Sequence, residues 1–517
     1  MTTGSLTLAG RKLLSGSVLR LGNLVVAAIS SFFLMPFVVH ALGDRLYGFW
    51  TLAGTFVGYY GLLDFGLSSA VSQYMSVAIG QNDRRECRAV FNAALRIQSI
   101  LGCIVLLATA VTAAAAPWFS RSPADAAVFS KVIAILGVNA ALGFPARAYG
   151  GVLEAELRFD IQSGLGIFGL VLRTGLVVWT ILGGGGLLAL AWMTLLASLP
   201  VIGLQIWFAR RQAPWAQIDR SPIDLQRMKS FFSYSIYTFL SVIGDIFRFQ
   251  VDALVIAVFI GLAAVTHYRV ASVFMRYYID IIVCIIGIIQ PVLSRLHGAQ
   301  DRKSLEKVFF FATRVSLCVS VFIGFSLISW GRPVIARWMG PRYQDAYWPL
   351  VILSLAVMLD VSQSPSIALL YATYRHRFYT YLNCTEGLIN LALSLALARP
   401  LGVLGVALGT LISAFLIRVV AQPFWVCRAS GLHYGDYMRF LAGTVLRCCG
   451  LIGAVIAITA WGLRPSYPWL AGSAICATTL YAAGSWFLVF NRAEREQLLA
   501  VAGRNQMGTE SDVVAAR

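Results

Sequence analysis

The sequence predicts an all-α integral membrane protein of about 14 transmembrane helices, arranged as two parallel six-helix bundles plus two C-terminal helices. The chain is 58% hydrophobic and only 12% charged, with a mean hydropathy of +0.75, whereas soluble domains carry about 25% charged residues. Apolar segments long enough to cross a bilayer, which takes about 20 residues, follow one another along the chain. Six of these segments are then repeated with the same spacing of polar residues.

Fourteen segments qualify as spans, and mostly short loops join them. The first span follows Arg11 and Lys12, is too long for the apolar core of a signal peptide and lacks a cleavage motif, so we expect it to remain uncleaved. The glycines at 183–186 predict a tight turn between spans five and six. The predicted spans are 16–42, 46–79, 89–115, 125–153, 162–182, 187–209, 231–260, 265–296, 306–330, 345–372, 379–398, 402–427, 438–462 and 468–490.

An internal repeat relates spans one to six to spans seven to twelve. The same offset carries Ser17 to Ser235 and Gly43 to Gly261 without a gap. Because each repeat holds an even number of spans, both halves insert the same way up, which predicts a parallel repeat about an axis along the membrane normal. The other matched residues are Gly80, Asp83, Arg84, Val90, Phe91 and Arg96 in the first repeat and Gly298, Asp301, Arg302, Val308, Phe309 and Arg314 in the second.

The repeat and the loops also predict the division of the chain into domains. The N-terminal bundle occupies 1–209 and the C-terminal bundle occupies 231–428, with a cytoplasmic linker at 210–230 between them. Two extra transmembrane helices follow at 438–490, and a cytoplasmic tail follows at 491–517.

Basic residues predict the orientation, because cytoplasmic loops are enriched in Lys and Arg. With the N-terminus inside, the inner loops hold more than half of the 41 Lys and Arg residues, in clusters such as 84–88, 210–229 and 295–307. Both termini are therefore predicted to be cytoplasmic. The net charge of +18 follows from the same asymmetry, so no nucleic-acid partner is expected.

Prolines recur at corresponding places in the two repeats. Pro145 in span four matches Pro365 in span ten, and Pro200 in span six matches Pro423 in span twelve. Interrupted helices at matching positions indicate hinges or binding segments in transporters. The alternative is that proline is simply frequent in membrane helices, and both interpretations stay open.

Ten arginines lie in neither the inner nor the outer loops, and three of them, Arg96, Arg314 and Arg447, can extend to the membrane surface. For the other seven, a charge inside the span costs roughly 2.5–3.5 kcal/mol and should face protein or a watery cavity. They are Arg20, Arg147, Arg173, Arg248, Arg269, Arg276 and Arg418. Arg20, Arg248, Arg269 and Arg276 are the candidates for binding an anionic head group, because guanidinium binds phosphate bidentately.

Two charged stripes accompany these arginines, each on one face of a predicted helix. Span seven carries Asp245, Arg248 and Asp252 at positions i, i+3 and i+7, and span eight carries Arg269, Arg276 and Asp280. Each stripe predicts either a charged cavity wall or internal ion pairs that join the two spans. For Arg248, which two carboxylates flank, the ion-pair interpretation is at least as strong.

Intramembrane carboxylates are the candidates for coupling to protons or sodium. Asp64 and Asp360 lead this group, with a structural role as the alternative, for Asp64 a pair with Arg20. Asp245, Asp252 and Asp280 are either coupling or structural acids. No cofactor and no metal site is predicted.

No catalytic motif is legible in the chain, which predicts a transporter and excludes the common hydrolase classes. The motifs H-E-x-x-H and G-x-S-x-G and the phosphate-binding Walker loop are absent from the sequence. The five histidines lack the spacing of metal ligands, and no outer loop is long enough to hold a catalytic domain.

Several segments resemble Wzx-like polysaccharide flippases in their order along the chain. The resemblance covers about residues 10–440. The segments are 42–50 (LGDRLYGFW), 63–70 (LDFGLSSA), 250–256 (QVDALVI), 290–296 (QPVLSRL) and 402–410 (GVLGVALGT).

This resemblance implies the multidrug/oligosaccharidyl-lipid/polysaccharide (MOP) exporter superfamily and a MATE-like fold. It implies movement of an undecaprenyl-pyrophosphate-linked oligosaccharide across a bacterial inner membrane, by alternating access, for O-antigen, capsule or exopolysaccharide synthesis. Arg20, Arg248, Arg269 and Arg276 correspond by span to cavity arginines of such flippases. The implied partners are the lipid-linked oligosaccharide, membrane lipids, and a glycan polymerase and chain-length regulator.

Rival functions differ in what they demand of the sequence. A proton- or sodium-coupled MATE-type exporter of organic cations should present unpaired carboxylates in its cavity, whereas arginines are at least as abundant inside these spans. A membrane enzyme of glycan assembly should carry a large outer loop. A lipid II flippase would share every feature named so far, and a membrane scaffold would not need buried charges.

Overall fold

The computed structural model of the chain is helical, with no strand among the residues that it describes. These are residues 22, 26–64, 71, 74–76, 78–79, 81, 83–119, 122–156, 158–219, 240, 243–248, 250–286, 289–373, 375–459, 466–492 and 494–495. Arg20, which was predicted to bind the anionic head group, lies outside the described residues.

The helices of nine residues or more are numbered in chain order. They are α1 (Val26–Leu42), α2 (Asp44–Tyr60), α3 (Arg84–Ala114), α4 (Pro123–Ala155), α5 (Phe159–Leu182), α6 (Leu187–Gln212), α7 (Val251–Phe259), α8 (Leu262–Ile286), α9 (Ile289–Gly298), α10 (Arg302–Trp338), α11 (Tyr347–Ser362), α12 (Ser364–Ala372), α13 (His376–Leu401), α14 (Val403–Ala414), α15 (Gln422–Ser430), α16 (Tyr434–Thr459) and α17 (Tyr467–Leu488). A π-helical segment, Phe415–Ala421, joins α14 to α15.

These helices confirm the predicted all-α membrane fold. Eight candidate spans in the described part of the chain are long and apolar enough to cross a bilayer. Large apolar side chains stay exposed on them, such as Val111 at 66% and Trp179 at 68%. An exposed apolar surface of this extent suits lipid and not water, so the chain is a multi-pass membrane protein.

The repeated Asp83 and Asp301 begin equivalent helices. Asp83 caps α3 by accepting hydrogen bonds from the backbone amides of Arg85 and Glu86, and Asp301 caps α10 by accepting one from Ser304. An N-cap carboxylate satisfies helix amides that have no partner within the helix. The shared spacing therefore marks the start of the third predicted span in each repeat.

Gly43 and Gly261, another repeated pair, make the turns before α2 and α8. Their φ angles are +77° and +135°, in the region that residues with a β-carbon rarely adopt. The repeat is thus visible in backbone conformation as well as in sequence.

Contacts divide the chain into two compact units, Met1–Arg269 and Val270–Arg517. In the first unit, Phe91 on α3 packs edge-to-face on Tyr149 of α4. In the second, Phe309 on α10 packs on Tyr437 of α16. The domain limits predicted at the linker 210–230 stay a prediction.

The four repeated prolines differ in their effect on the helices. Helix α4 continues through Pro145 and α6 through Pro200, so neither proline ends its helix, and a hinge role for them stays a prediction. Pro365 and Pro423 stand in the first turns of α12 and α15, directly after breaks in the α-helical backbone. A first-turn proline costs no hydrogen bond, whereas an internal proline removes one, and neighbouring helices tolerate that loss in membranes.

Candidate functional site

Asp64 and Arg147 form a polar site inside the first unit. The Nη1 atom of Arg147 lies 3.1 Å from Oδ1 of Asp64, and Gln98 Nε2 donates a 2.8 Å hydrogen bond to the same oxygen. The guanidinium also stacks over the Phe144 ring at 4.2 Å from its centroid. Asp64 thus contacts a different arginine from the predicted Arg20, which lies outside the described residues.

Arg147 remains accessible although it lies on the side of α4 that faces away from lipid. Its side chain is 38% exposed. The exposed apolar stripe of α4 includes Val138 and Leu142. Arg147 is nine residues beyond Val138, which is about two and a half helical turns, so it points to the opposite side of the helix. An exposed arginine opposite the lipid-facing stripe opens on interior space, where an anion could reach it.

The span-seven stripe lies in the protein interior. Arg248 and Asp252 are 4% and 3% exposed, and Asp245 is half-buried. Tyr268 donates a short hydrogen bond to Asp252. All three charged groups make further contacts. Burial of this kind favours the ion-pair interpretation of Arg248 over direct ligand binding.

The span-eight stripe lies on the surface of α8. Arg269 is exposed, and Arg276 Nε lies 3.1 Å from Asp280 Oδ2, with the Arg276 side chain 75% exposed. A pair so exposed holds its arginine weakly. Arg276 is therefore free to exchange Asp280 for an external anion.

Arg418 is the centre of a fully buried cluster in the second unit. Its side chain is 0% exposed, with Nε 3.0 Å from Asp360 Oδ1 and Nη2 2.8 Å from Glu386 Oε2. Its Nη1 atom donates to Gln422 at 2.7 Å and its Nη2 atom to Asn383 at 3.2 Å. Four polar side chains from three further segments thus converge on one guanidinium.

The backbone at Arg418 is π-helical across Phe415–Ala421. A π segment adds a residue to the turn, and such segments are frequent at functional sites. Here it accompanies a buried, charged side chain between α14 and the proline-started α15.

Hydrogen bonds extend this cluster to the break between α11 and α12. Gln422 Nε2 donates to the Gln363 carbonyl at 3.2 Å. Ser366 and Tyr437 donate to Gln363 Oε1 at 3.0 and 3.2 Å. Both breaks in the second repeat therefore join one buried polar network.

Helices α2 and α8 cross at the two glycine turns of the repeat. A β-carbon at Gly48 would lie 2.1 Å from the Leu262 carbonyl oxygen, so only glycine fits there. Thr266 donates a 2.6 Å hydrogen bond to the Asp44 carbonyl. Gly48 and Asp44 of the first repeat correspond to Thr266 and Leu262 of the second. The contact between Gly48 and Leu262 is therefore the counterpart of the contact between Thr266 and Asp44.

Further contacts continue this crossing along α2. His267 Nε2 lies 3.8 Å from Asp44 Oδ2, and Tyr59 donates a 3.1 Å hydrogen bond to the Gln250 carbonyl. A β-carbon at Gly58 would meet the Gln250 side chain at 2.3 Å. Helix α2 is thus held to α8, and to the residue just before α7, by glycine packing and a few hydrogen bonds.

The two polar sites depend on three residues that were not predicted to bind substrate or to couple transport to an ion. They are Arg147, Glu386 and Arg418. Their signal in the sequence was an ionisable residue inside an apolar span. That signal marks a buried charge but does not identify its partner, which lies on a distant segment.

Comparison with known proteins identifies relatives over most of the chain. A family described as "Polysaccharide biosynthesis protein" matches residues 42–348. The membrane protein EpsK of Bacillus subtilis (strain 168), which is described as uncharacterized, is 21% identical over 488 residues, covering 92% of this chain and 95% of EpsK.

Solved structures show the same fold. The lipid II flippase MurJ, in an inward closed conformation, aligns with a TM-score of 0.71 at 13% identity, covering 91% of this chain and 97% of MurJ. An inward-facing multidrug resistance MATE family transporter of the MOP superfamily aligns with a TM-score of 0.68 at 16% identity, covering 80% of this chain and 98% of the transporter. These similarities confirm the predicted MATE-like MOP fold.

Proposed function

The chain belongs to the polysaccharide biosynthesis protein family, and we propose that it flips an undecaprenyl-pyrophosphate-linked oligosaccharide across a bacterial inner membrane. In this proposal both termini are cytoplasmic and the substrate moves from the inner to the outer leaflet. The observation that carries it is Arg147, a guanidinium that stays 38% exposed on the inner side of a membrane helix.

The chemistry of the substrate matches such a guanidinium. A diphosphate is a dense anion that costs much free energy to move into an apolar medium, and arginine offers it paired hydrogen bonds without losing its charge. Arg147 supplies a cationic contact in the first unit, while the polyprenyl chain stays in the lipid. The exposed Arg276 is a separate candidate in the second unit. The oligosaccharide needs a hydrated cavity, and an accessible arginine inside the first unit supports one.

Alternating access requires contacts that close and reopen. The crossing of α2 and α8 has that character, because it depends on glycine packing and a few hydrogen bonds around Gly48 and Thr266. We propose that this crossing is one gate of the transport cycle.

Coupling to protons or sodium is assigned in this proposal to the buried cluster of Asp360, Glu386 and Arg418. Neutralising either carboxylate, with a proton or a bound cation, would remove one of the two ion pairs that hold Arg418. The π segment that carries Arg418 would then be freer to move relative to α11 and α13. Asp64, which contacts Arg147, is the corresponding candidate in the first unit.

A cation exporter of the MATE type is less consistent with these contacts. Asp64 and Asp360, the two leading coupling acids, each lie within 3.1 Å of an arginine nitrogen. Carboxylates neutralised by guanidinium groups attract a cationic drug weakly, which favours an anionic substrate.

Glycan assembly also implies membrane partners. We propose that the glycan polymerase and the chain-length regulator receive the flipped substrate at the outer leaflet. Surrounding membrane lipids accommodate the polyprenyl chain during the movement.

Deletion of the gene tests the proposed function. Lipid-linked oligosaccharide should accumulate on the cytoplasmic leaflet, and surface glycan should disappear. Arg276→Ala should reduce surface glycan while the protein stays inserted, whereas Arg447→Ala, on the lipid-exposed side of α16, should leave it unchanged. Normal export in the deletion strain would contradict the proposal.

A reversible crosslink tests the proposed gate. The Asp44→Cys/His267→Cys pair replaces two side chains that lie 3.8 Å apart. Linking the two cysteines with a reducible bifunctional thiol reagent should stop export, and reduction should restore it, with each single cysteine variant as a control. Continued export by crosslinked protein would contradict a gate at this crossing.

A further inference from the structure

Arg173 is an exposed arginine near the middle of α5. At 1.5 Å per residue it lies about 21 Å from the first residue of the helix and about 14 Å from the last. No side chain or backbone oxygen among the described residues makes a hydrogen bond or ion pair with its guanidinium. A charged group at such depth needs water or a ligand.

The side of α5 that carries Arg173 does not face lipid. The exposed apolar side chains of α5 form a single stripe at three- and four-residue spacings. They are Phe168 at 44%, Val171 at 56%, Trp179 at 68% and Leu182 at 75% exposure. At 100° per residue, Arg173 projects about 160° away from the centre of this stripe.

Buried residues surround Arg173 along its own side of the helix. Val177 and Thr180, four and seven residues later, are 4% and 7% exposed. Gly169, four residues earlier, packs against α6, since a β-carbon there would meet Val201 at 2.9 Å. Arg173 is therefore exposed on a side of α5 that is otherwise packed, which indicates a gap in the packing around it.

Arg147 and Arg173 therefore stand at two depths within the same unit. Arg147 lies about 12 Å before the end of α4, and Arg173 lies about 21 Å after the start of α5. Both distances are measured from the short connection between these helices, so Arg173 is about 9 Å deeper. Asp64 pairs with Arg147, whereas no carboxylate in the described part of the chain pairs with Arg173.

We propose that Arg173 is a second anion-binding residue, which receives the substrate's diphosphate at greater depth than Arg147. This inference rests on the proposed function and adds a step to it. The diphosphate first displaces Asp64 from Arg147 and then moves to the uncompensated guanidinium. A gradient of increasing positive charge would draw the head group across the apolar layer.

Ligand binding by the full-length protein in phosphatidylcholine nanodiscs tests the assignment. The probes are farnesyl diphosphate, inorganic pyrophosphate and a short-chain phosphatidylglycerol, which separate a lipid diphosphate from a free anion and from a bilayer phospholipid. Calorimetry should show farnesyl diphosphate binding that Arg173→Gln weakens about tenfold or more. Arg173→Lys should recover part of this affinity, and Arg447→Gln should bind like the wild type.

The outcomes separate this inference from the proposed function. Wild-type protein that binds no diphosphate would overturn both. Wild-type binding that Arg173→Gln leaves unchanged, or tightest binding of phosphatidylglycerol, would overturn the role of Arg173 alone.

Thiol labelling tests the geometry without a ligand. Arg173→Cys should react with a charged, water-soluble thiol reagent above the wild-type background, because it faces a hydrated space. Val171→Cys, on the lipid-facing stripe, should stay unreactive. Equal labelling of the two variants would overturn the assignment of an internal space.

Discussion

Arg147 in the first repeat and Arg418 in the second are both intramembrane arginines in contact with carboxylates, but their surroundings differ. Arg147 contacts one carboxylate and is 38% exposed. Arg418 contacts two carboxylates and two side-chain amides and is 0% exposed. The first arrangement leaves a guanidinium available to a ligand, whereas the second uses the guanidinium to hold three helical segments together.

The backbone also differs between the repeats, at the positions of the repeated prolines. Pro145 and Pro200 lie within continuous helices, whereas Pro365 and Pro423 follow a helix break and a π segment. In the second repeat these irregular segments meet at the Arg418 cluster. The two repeats therefore differ both in the backbone at the repeated prolines and in the surroundings of their interior arginines.

The largest expected effect is loss of the Arg418 charge. Arg418→Gln leaves Asp360 and Glu386 buried without their guanidinium, which should lower the free energy of unfolding by roughly 3–5 kcal/mol. Thermal unfolding of purified protein in detergent measures this, with Arg447→Gln as the control. Equal stability of the two variants would show that the cluster does not hold the second unit together.

The next largest effect is expected where the repeats cross. Gly48→Ala places a methyl group against the Leu262 backbone and should destabilise the protein by about 1–3 kcal/mol. Gly54→Ala on the same helix meets nothing within 4 Å and should be neutral or slightly stabilising. Similar unfolding temperatures for both variants would argue against tight packing at this crossing.

Arg147 should behave in the opposite way to Arg418. Because its pair with Asp64 is partly exposed, Arg147→Gln should change stability by about 1 kcal/mol or less. Export of surface glycan should nevertheless be lost if the guanidinium binds substrate. A variant that exports normally, or one that unfolds like Arg418→Gln, would erase the proposed difference between the repeats.

The smallest effect is expected at the helix caps, where the repeats are alike. The hydrogen bonds that Asp301 receives from Ser304 lower the pKa of its carboxyl group. A lowered folded-state pKa contributes stability above the unfolded pKa, and that contribution is lost as pH falls through the folded value. Asp301→Asn should slightly reduce the loss of stability at acidic pH, measured as the free energy of unfolding at a series of pH values. An unchanged pH profile would contradict the contribution of this cap.

Much of the fold was predictable because each span carries its own signal. A helix in lipid must satisfy its backbone internally and be apolar for its whole length, so α4, α5 and α6 coincide with predicted spans within three residues at each end. The cap residues Asp83 and Asp301 and the turn glycines Gly43 and Gly261 are equally local, and their recurrence identified the repeat.

The candidate site was less predictable, because the partner of a charge depends on packing. Spacing along span eight placed Arg276 and Asp280 on one face, and the structure pairs them at 3.1 Å. The Asp64–Arg147 and Arg418–Glu386 pairs join residues from different helices, and no periodicity within one helix could reveal them.

The sequence by itself determined the class of this protein, its membrane-spanning helices and its duplicated architecture, because hydrophobic length, caps and turns act over a few residues. The tertiary structure alone decided which arginines are buried and which are accessible. That choice depends on how the inner sides of separate helices meet, and the free energy of a charge in a membrane is set by its neighbours in space.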